Sequence, residues 1–219
     1  MPSPTRAAVP VTGVGVGLRD ENFLMLEIEQ KFAAADFAAI ESRLVDWQAR
    51  RGVEQIEIDH YFNAPDRDFA RTDEAFRLRR VGEANYLTYK GPKHPGLVKI
   101  RTELEIPLRD GEEAAEQIQQ MLRHLGYRAV AVVRKQRRLY HLERGGFTLT
   151  VCLDEVERLG RFAEVEIVAD DERKESARVV LQETAVSLGL TNLERRSYLN
   201  LLLSAQGTPQ PVDIPENAP

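Results

Sequence analysis

Long charged side chains recur at every second position opposite apolar ones along most of this chain, and that alternation limits what it can fold into. In Leu24 to Phe32, the apolar Leu26, Ile28 and Phe32 point one way and Glu27, Glu29 and Lys31 the other, because side chains alternate across a strand. One such stretch alone fits a surface strand with its charged side in water. Repetition argues for more. Ala75 to Val81 sets Arg77 and Arg79 against Phe76 and Leu78, and Ala84 to Gly91 sets Tyr86, Thr88 and Lys90 against Leu87 and Tyr89. Val98 to Leu108 sets Lys99, Arg101, Glu103 and Glu105 against Ile100, Leu104 and Ile106. Val53 to Phe62 places Glu57, Asp59 and Tyr61 on one face. Lys135 and Arg137, Asp154 at the end of Phe147 to Asp154, and Glu164 and Glu166, read against Val165, Ile167 and Phe162, continue the pattern.

The pattern predicts about eight strands, the number at which a barrel interior can hold side chains and one small ligand. Enclosed charges of one sign would be intolerable, whereas mixed carboxylates and cations compensate one another. We expect an α+β fold, a closed antiparallel eight-stranded β-barrel around a charged bore with covering helices. Asp36 is the expected N-cap of a helix with Phe37, Ile40, Leu44 and Trp47 on one face and Gly52 ending the run. Asp110 and Glu113 suggest a capping box for a second, with Ile118, Met121, Leu122 and Leu125 buried and Gly126 closing it. Two further helices are expected near Glu172 to Leu188 and Leu193 to Leu203.

The 219 residues suit one domain. Residues 1–22 read as a flexible leader, 23–203 as the domain and 204–219 as a disordered tail rich in proline. Gly13, Gly15 and Gly17 lack the flanking strand and helix of a phosphate loop. No signal-peptide pattern opens the chain, and no run reaches the roughly 18 apolar residues of a membrane helix. The net charge of −5 argues against a general nucleic-acid binder. Arg134, Arg137 and Arg138 look like a basic patch until alternation splits them between faces. The single cysteine, Cys152, permits no internal disulfide and points to a reducing cytoplasm; its strand phase matches Asp154, so it reads as a small interior residue.

Lys31, Arg77, Arg79, Lys90, Arg101, Lys135 and Arg137 come from different strands, so in a closed barrel they surround a linear polyanion. Arginine offers a bidentate fork to phosphate and lysine a point charge. His60, His94, His124 and His141 have no zinc spacing, and no Gly-x-Ser-x-Gly elbow occurs. Any metal is therefore expected to be hard and oxygen-bound, Mg²⁺ or Mn²⁺. Lys93 and His94 read as solvated loop residues in preference to nucleotide contacts.

The segment Glu27-Ile-Glu29-Gln-Lys31 resembles the Glu-x-Glu-x-Lys signature of the CYTH superfamily, the triphosphate tunnel metalloenzymes, which includes class IV adenylate cyclases and thiamine triphosphatases. Asp59-His-Tyr-Phe62, Phe76-Arg-Leu-Arg79, Thr88-Tyr-Lys-Gly91, Arg101 to Glu105, Val133 to Arg137, Cys152-Leu-Asp154 and Glu164-Val-Glu166 follow in matching order. The resemblance implies that Glu27, Glu29, Glu103, Glu105, Asp154, Glu164 and Glu166 hold one or two metal ions, with Glu27, Glu29 and Glu166 foremost. It implies catalytic roles for Glu29, Lys31, Lys90 and Arg137, a triphosphate-containing small molecule such as ATP as substrate, and a possible homodimer. Thr88 to Pro92, Leu122 to Tyr127 and Val151 to Gly160 resemble bacterial and archaeal cyclases most, so the first expectation is conversion of ATP to cyclic AMP and pyrophosphate. A metal-dependent triphosphatase is the alternative and a non-catalytic polyphosphate or nucleotide binder the lesser one. Asn63 stands where the family pattern has an acidic residue.

Overall fold

The computed structural model describes residues 26–93 and 99–207. Its elements are β1 (Leu26–Ala33), α1 (Phe37–Asp46), β2 (Arg50–Arg51), β3 (Gln55–Asn63), β4 (Ala75–Val81), β5 (Ala84–Lys90), β6 (Lys99–Pro107), α2 (Glu112–His124), β7 (Arg128–Arg144), β8 (Phe147–Val156), β9 (Gly160–Ala169), α3 (Lys174–Ser187) and α4 (Tyr198–Ala205). Every strand pairing is antiparallel, in the order β2-β7-β3-β4-β5-β6-β1-β9-β8, and β7 also pairs with β8. Eight strands thus close into a barrel, as the alternation predicts, and the two-residue β2 only extends the wall at β7. The glycine-rich stretch, the leader, Leu24, Met25 and His94 lie outside the described residues, as does the tail beyond Gly207.

On most strands the apolar face turns outward to meet a helix, whereas Leu104 and Ile106 of β6 are exposed. Helices α1 and α3 cover β1, β9, β8 and the second half of β7, burying Ile28, Leu149, Val151, Val165 and Ile167 against Phe37, Ile40, Leu44, Ala177 and Leu181. Helix α2 covers β3 to β5 through Phe62, Leu78, Ala115 and Leu122. With both flanks of the wall supported from outside, the charged face is left to line the bore.

Several local expectations change. Asp36 caps α1 by accepting from the Ala38 N–H at 2.9 Å, but the helix ends at Trp47 because Gln48 turns to a φ of 56°. Gly52 lies beyond it, donating its N–H to the Leu139 carbonyl at 2.8 Å. Asp110 forms no capping box. Gly111, with a φ of 100°, is the N-cap of α2 and no side chain caps it. Asn85 instead holds the helix entry, donating to the Arg109 and Gly111 carbonyls at 3.0 and 2.8 Å. Ala114 and Ala115 are the buried face of α2, so its contact line shifts and Met121 and Leu125 are exposed. Leu193 to Ser197 is not helical: Asn192 and Glu194 clamp the end of β1 through Ala33 N–H to Asn192 O at 2.8 Å and Glu194 N–H to Lys31 O at 2.7 Å. Ser197 then caps α4, which runs through Ser204 to Ala205, into the stretch expected to be tail.

Candidate active site

Phe162 corrects the reading of β9 and reveals how the bore is organised. It shares the parity of Glu164 and Glu166, pairs with Asp154 across β8 and β9, and faces inward. Toward α4, the inward residues pass from charged to apolar on strand after strand. On β3 they run Glu57, Asp59, Tyr61; on β7, Arg137, Lys135, Val133; on β9, Glu166, Glu164, Phe162. Tyr61, Val133, Val156 and Phe162 pack with Tyr198 and Leu202 of α4, so this end of the barrel is plugged. On β1 the matching series is Glu27, Glu29, Lys31, which keeps a charge at the plugged end.

Between mouth and plug the charges interlock. Arg79 forks onto Asp59 at 2.7 and 2.8 Å and reaches Glu57 at 2.9 Å. Lys135 lies 2.7 Å from Glu57. Arg137 forks onto Asp154 at 2.7 and 2.6 Å and meets Glu164 at 2.5 Å. Lys90 sits between Glu27, at 3.0 Å, and Glu103. Arg77 is the least satisfied of these cations. Its contacts to Asp59, Tyr61 and Glu103 are 3.3, 3.5 and 3.8 Å, and its buried Nε has no hydrogen-bond partner. A buried donor left unmade is costly, and an anion in the bore would relieve it.

Glu27, Glu29 and Glu166 form a different kind of cluster. Glu29 pairs directly with Glu166 across β1 and β9, and one oxygen of each of the three lies within 4.8 Å of the others. Three oxygen donors of like charge at this spacing fit a hard divalent cation. The profile of the CYTH domain family matches residues 25–198. The chain belongs to the CYTH domain family. A Methanocaldococcus jannaschii protein named "Putative adenylate cyclase MJ0240" is 33% identical over 180 residues, 81% of this chain and 98% of that protein. The adenylate cyclase CyaB of Aeromonas hydrophila is 33% identical over 181 residues, 80% of this chain and 87% of the relative. Among solved structures, the PH1819 protein of Pyrococcus horikoshii is 36% identical and superposes with a TM-score of 0.71 over 82% of this chain and 99% of its own.

Electrostatics sorts the carboxylates of this CYTH tunnel into two groups. Burial pushes the Glu166 carboxyl up to about 7, with Glu164 and Glu29 adding repulsion that Arg137 only partly offsets. Burial likewise raises Glu27, which shares a hydrogen bond with Glu103. Such groups hold protons that a cation would displace. Glu57, Asp59, Glu103 and Glu164 are also buried, yet neighbouring guanidinium and ammonium groups overcome that and hold them below the usual carboxylate range. They act as countercharges that hold the cations of the bore in fixed positions.

Of the remaining expected site residues, Arg101 is buried in the bore wall and pairs with Glu27 across β6 and β1. Glu105 accepts from the Thr88 hydroxyl at 2.9 Å, away from the three-carboxylate cluster. Asp154 is engaged by Arg137 and by the Tyr198 hydroxyl, 2.8 Å away. Cys152 is buried beside these carboxylates, and burial raises its thiol well above the ordinary range. Glu57, Asp59 and Tyr198 were not among the expected site residues. Alternation put the first two on the charged face, but Tyr198 reaches the bore from a helix, where strand parity carries no signal. Asn63 organises the next loop, bonding Asp68 at 2.9 Å and the Phe69 N–H at 2.8 Å. Lys93 pairs with Asp73 beside it. Outward Arg134 and Arg138 face Glu157 and Glu41, so they form no bare basic patch.

Proposed function

We propose that this CYTH protein is a class IV adenylate cyclase-like enzyme that converts ATP to cyclic AMP and pyrophosphate. The observation that carries the reading is the axial order of charge: the metal-fitting carboxylates lie toward the end of the bore away from α4, and Lys31 and Lys135 toward the plug. A triphosphate entering terminal phosphate first seats its outer phosphates against the inner cations. Its α-phosphorus, next to the nucleoside, then rests at the level of Glu27, Glu29 and Glu166. These three would hold Mg²⁺ or Mn²⁺, which supplies neutralisation of the charge that develops on the phosphoryl oxygens.

The chain's own residues orient the reactants. Arg77 turns its unpartnered Nε and loosely held fork to the phosphate oxygens, and Arg79, Lys90 and Arg137 are fixed around it by their countercharges. The ribose 3′-oxygen forms its bond to the α-phosphorus as its proton passes to water, and the bond from the α-phosphorus to the α,β-bridging oxygen breaks. Pyrophosphate leaves among the inner cations, which stabilise its added charge. The two relatives named as adenylate cyclases support the choice of reaction. A lone buried thiol suits the reducing cytoplasm, and no helix among the described residues is long and apolar enough to cross a membrane.

The test is a product assay with ATP, thiamine triphosphate and inorganic triphosphate, each with Mg²⁺ or Mn²⁺, resolved by chromatography. Cyclic AMP with pyrophosphate is the expected result. Orthophosphate without cyclic AMP would replace the reading with a tunnel triphosphatase, and binding without product would make the protein a polyphosphate binder.

A further inference from the structure

A row of residues in direct register leads away from the three-carboxylate cluster at the end of the bore away from α4. Glu29 on β1 is opposite Glu166 on β9, Glu166 is opposite Thr150 on β8, Thr150 is opposite His141 on β7, and the row ends where His141 pairs with Arg50 of β2. Directly opposite residues in an antiparallel pair stand about 5 Å apart, so Thr150 lies one such step and His141 two from Glu166. Both are half-buried and share the face of the bore, because their neighbours Leu149, Val151, Tyr140 and Leu142 are buried in the outer core. The two side chains meet, with His141 Nδ1 3.3 Å from Thr150 Oγ1. On the other side of the ring is Gly52, where an added Cβ would lie 3.5 Å from His141 Nε2, so glycine keeps a side chain out of the space beside this nitrogen. Burial and the charge of Arg50 lower the pKa of His141, and a neutral imidazole carries one N–H and one bare nitrogen. Val168, opposite Glu27 on β1 and 42% exposed, adds an apolar surface to the same face. Thr150, His141 and Val168 thus give this end of the bore uncharged polar and apolar groups, in contrast to the guanidinium and ammonium groups deeper in.

We propose that His141 and Thr150 form a nucleoside subsite at this end of the tunnel, so that its ligand is a nucleoside triphosphate. The inference rests on the reading that a triphosphate seats with its α-phosphorus at Glu27, Glu29 and Glu166. In such a ligand the sugar follows the α-phosphate and the base lies beyond it, the order in which Thr150 and His141 follow Glu166 along the row. The Thr150 hydroxyl bonds the ribose hydroxyls, the imidazole offers Nε2 and its ring face to the base, and Val168 supplies apolar contact. Because a hydroxyl and a neutral imidazole can each donate and accept, the subsite separates a nucleotide from a bare phosphate chain more sharply than one purine from another.

Calorimetry with Mg²⁺ tests this, using α,β-methylene-ATP, whose α,β bridge cannot break, and inorganic triphosphate as ligands of wild type, His141→Ala, Thr150→Val and Thr150→Ser. His141→Ala and Thr150→Val should each weaken the nucleotide about 3- to 10-fold, the range of one net hydrogen bond, and leave inorganic triphosphate unchanged. Thr150→Ser, which keeps the hydroxyl, should bind both ligands as wild type does. The KM for ATP in any turnover should rise in the same order, and thermal unfolding checks that each variant folds. Unchanged nucleotide affinity in either His141→Ala or Thr150→Val, or an equal loss for both ligands, would overturn the inference. Nucleotide-selective loss with no cyclic AMP formed by wild type would leave it standing and remove the cyclase reading, whereas wild type that failed to bind the nucleotide would remove both.

Discussion

At the scale of single residues, Glu166 shows how a cluster of like charges becomes a proton and metal site. Its carboxyl is raised to about 7, while in the unfolded chain it titrates near 4.3. The folded protein therefore binds the extra proton between these values. Stability from this group is complete below about pH 4 and is lost as pH rises through 7, a change on the order of 3 kcal/mol. Without metal, the melting temperature of wild type should fall from pH 5 to pH 8 relative to Glu166→Gln, and Mn²⁺ should raise it more at pH 8 than at pH 6. A parallel decline in the variant would show that another group is responsible. Lys90 poses the converse case. It bridges Glu27 and Glu103 deep in the bore, and removing one partner of a buried ion pair leaves the others uncompensated. Lys90→Met should cost about 3–5 kcal/mol of unfolding free energy in urea, most of it recovered by adding Glu103→Gln, because Lys90 is what holds Glu103 ionised. No recovery in the double variant would mean that Glu103 is not the charge left stranded.

At the scale of elements, the tight β7–β8 connection sets how closely α3 can approach the sheet. Gly145 and Gly146 have φ of 58° and 78°, the left-handed pair that a two-residue hairpin turn requires. A Cβ on Gly145 would meet Val180 Cγ2 of α3 at 2.6 Å. Gly145→Ala should therefore destabilise the protein by about 1–3 kcal/mol with KM unchanged, because the turn lies on the outer face away from the bore. Urea titration beside a steady-state assay checks both halves. Gly145→Ala with additional Val180→Ala should regain part of the loss; without that, backbone strain alone carries it. The helices were legible in outline, and the failures were local. Asp110 looked like a cap, but Asn85 and the positive φ of Gly111 hold that entry instead, a contact from a hairpin that local spacing does not contain.

For the whole molecule, closure turns scattered charges into one coupled system. Glu57 and Asp59 are held low by Arg79, Arg77 and Lys135, so they stabilise the fold above their unfolded values and lose that contribution as pH falls through their folded ones. Acid unfolding should begin below about pH 4, opposite in direction to the Glu166 effect. Circular dichroism across pH 2 to 5 should show the midpoint moving to higher pH in Arg79→Met, whose loss frees both carboxylates to protonate nearer their ordinary values. An unmoved midpoint would place the acid sensitivity elsewhere.

The amino-acid sequence by itself determined that the chain would make a barrel with a charged lumen. Period-two alternation on Leu26 to Phe32, on β4 to β6 and on β7 to β9 is a local property, and it decides which side chains share a face wherever the backbone is extended. It also marked Glu27, Glu29 and Glu166 as inward carboxylates. Only the tertiary structure decided which of the inward charges meet. Shear between strands brings Glu27 to Lys90 and Arg137 to Glu164, pairings that depend on registers set by the whole closed sheet. It also decided that α4 returns to plug one end and that Tyr198 reaches Lys31 from far along the chain. Face is a matter of neighbours in sequence; depth in the tunnel, and with it each carboxylate's affinity for a proton or a metal, is a matter of what closes around it.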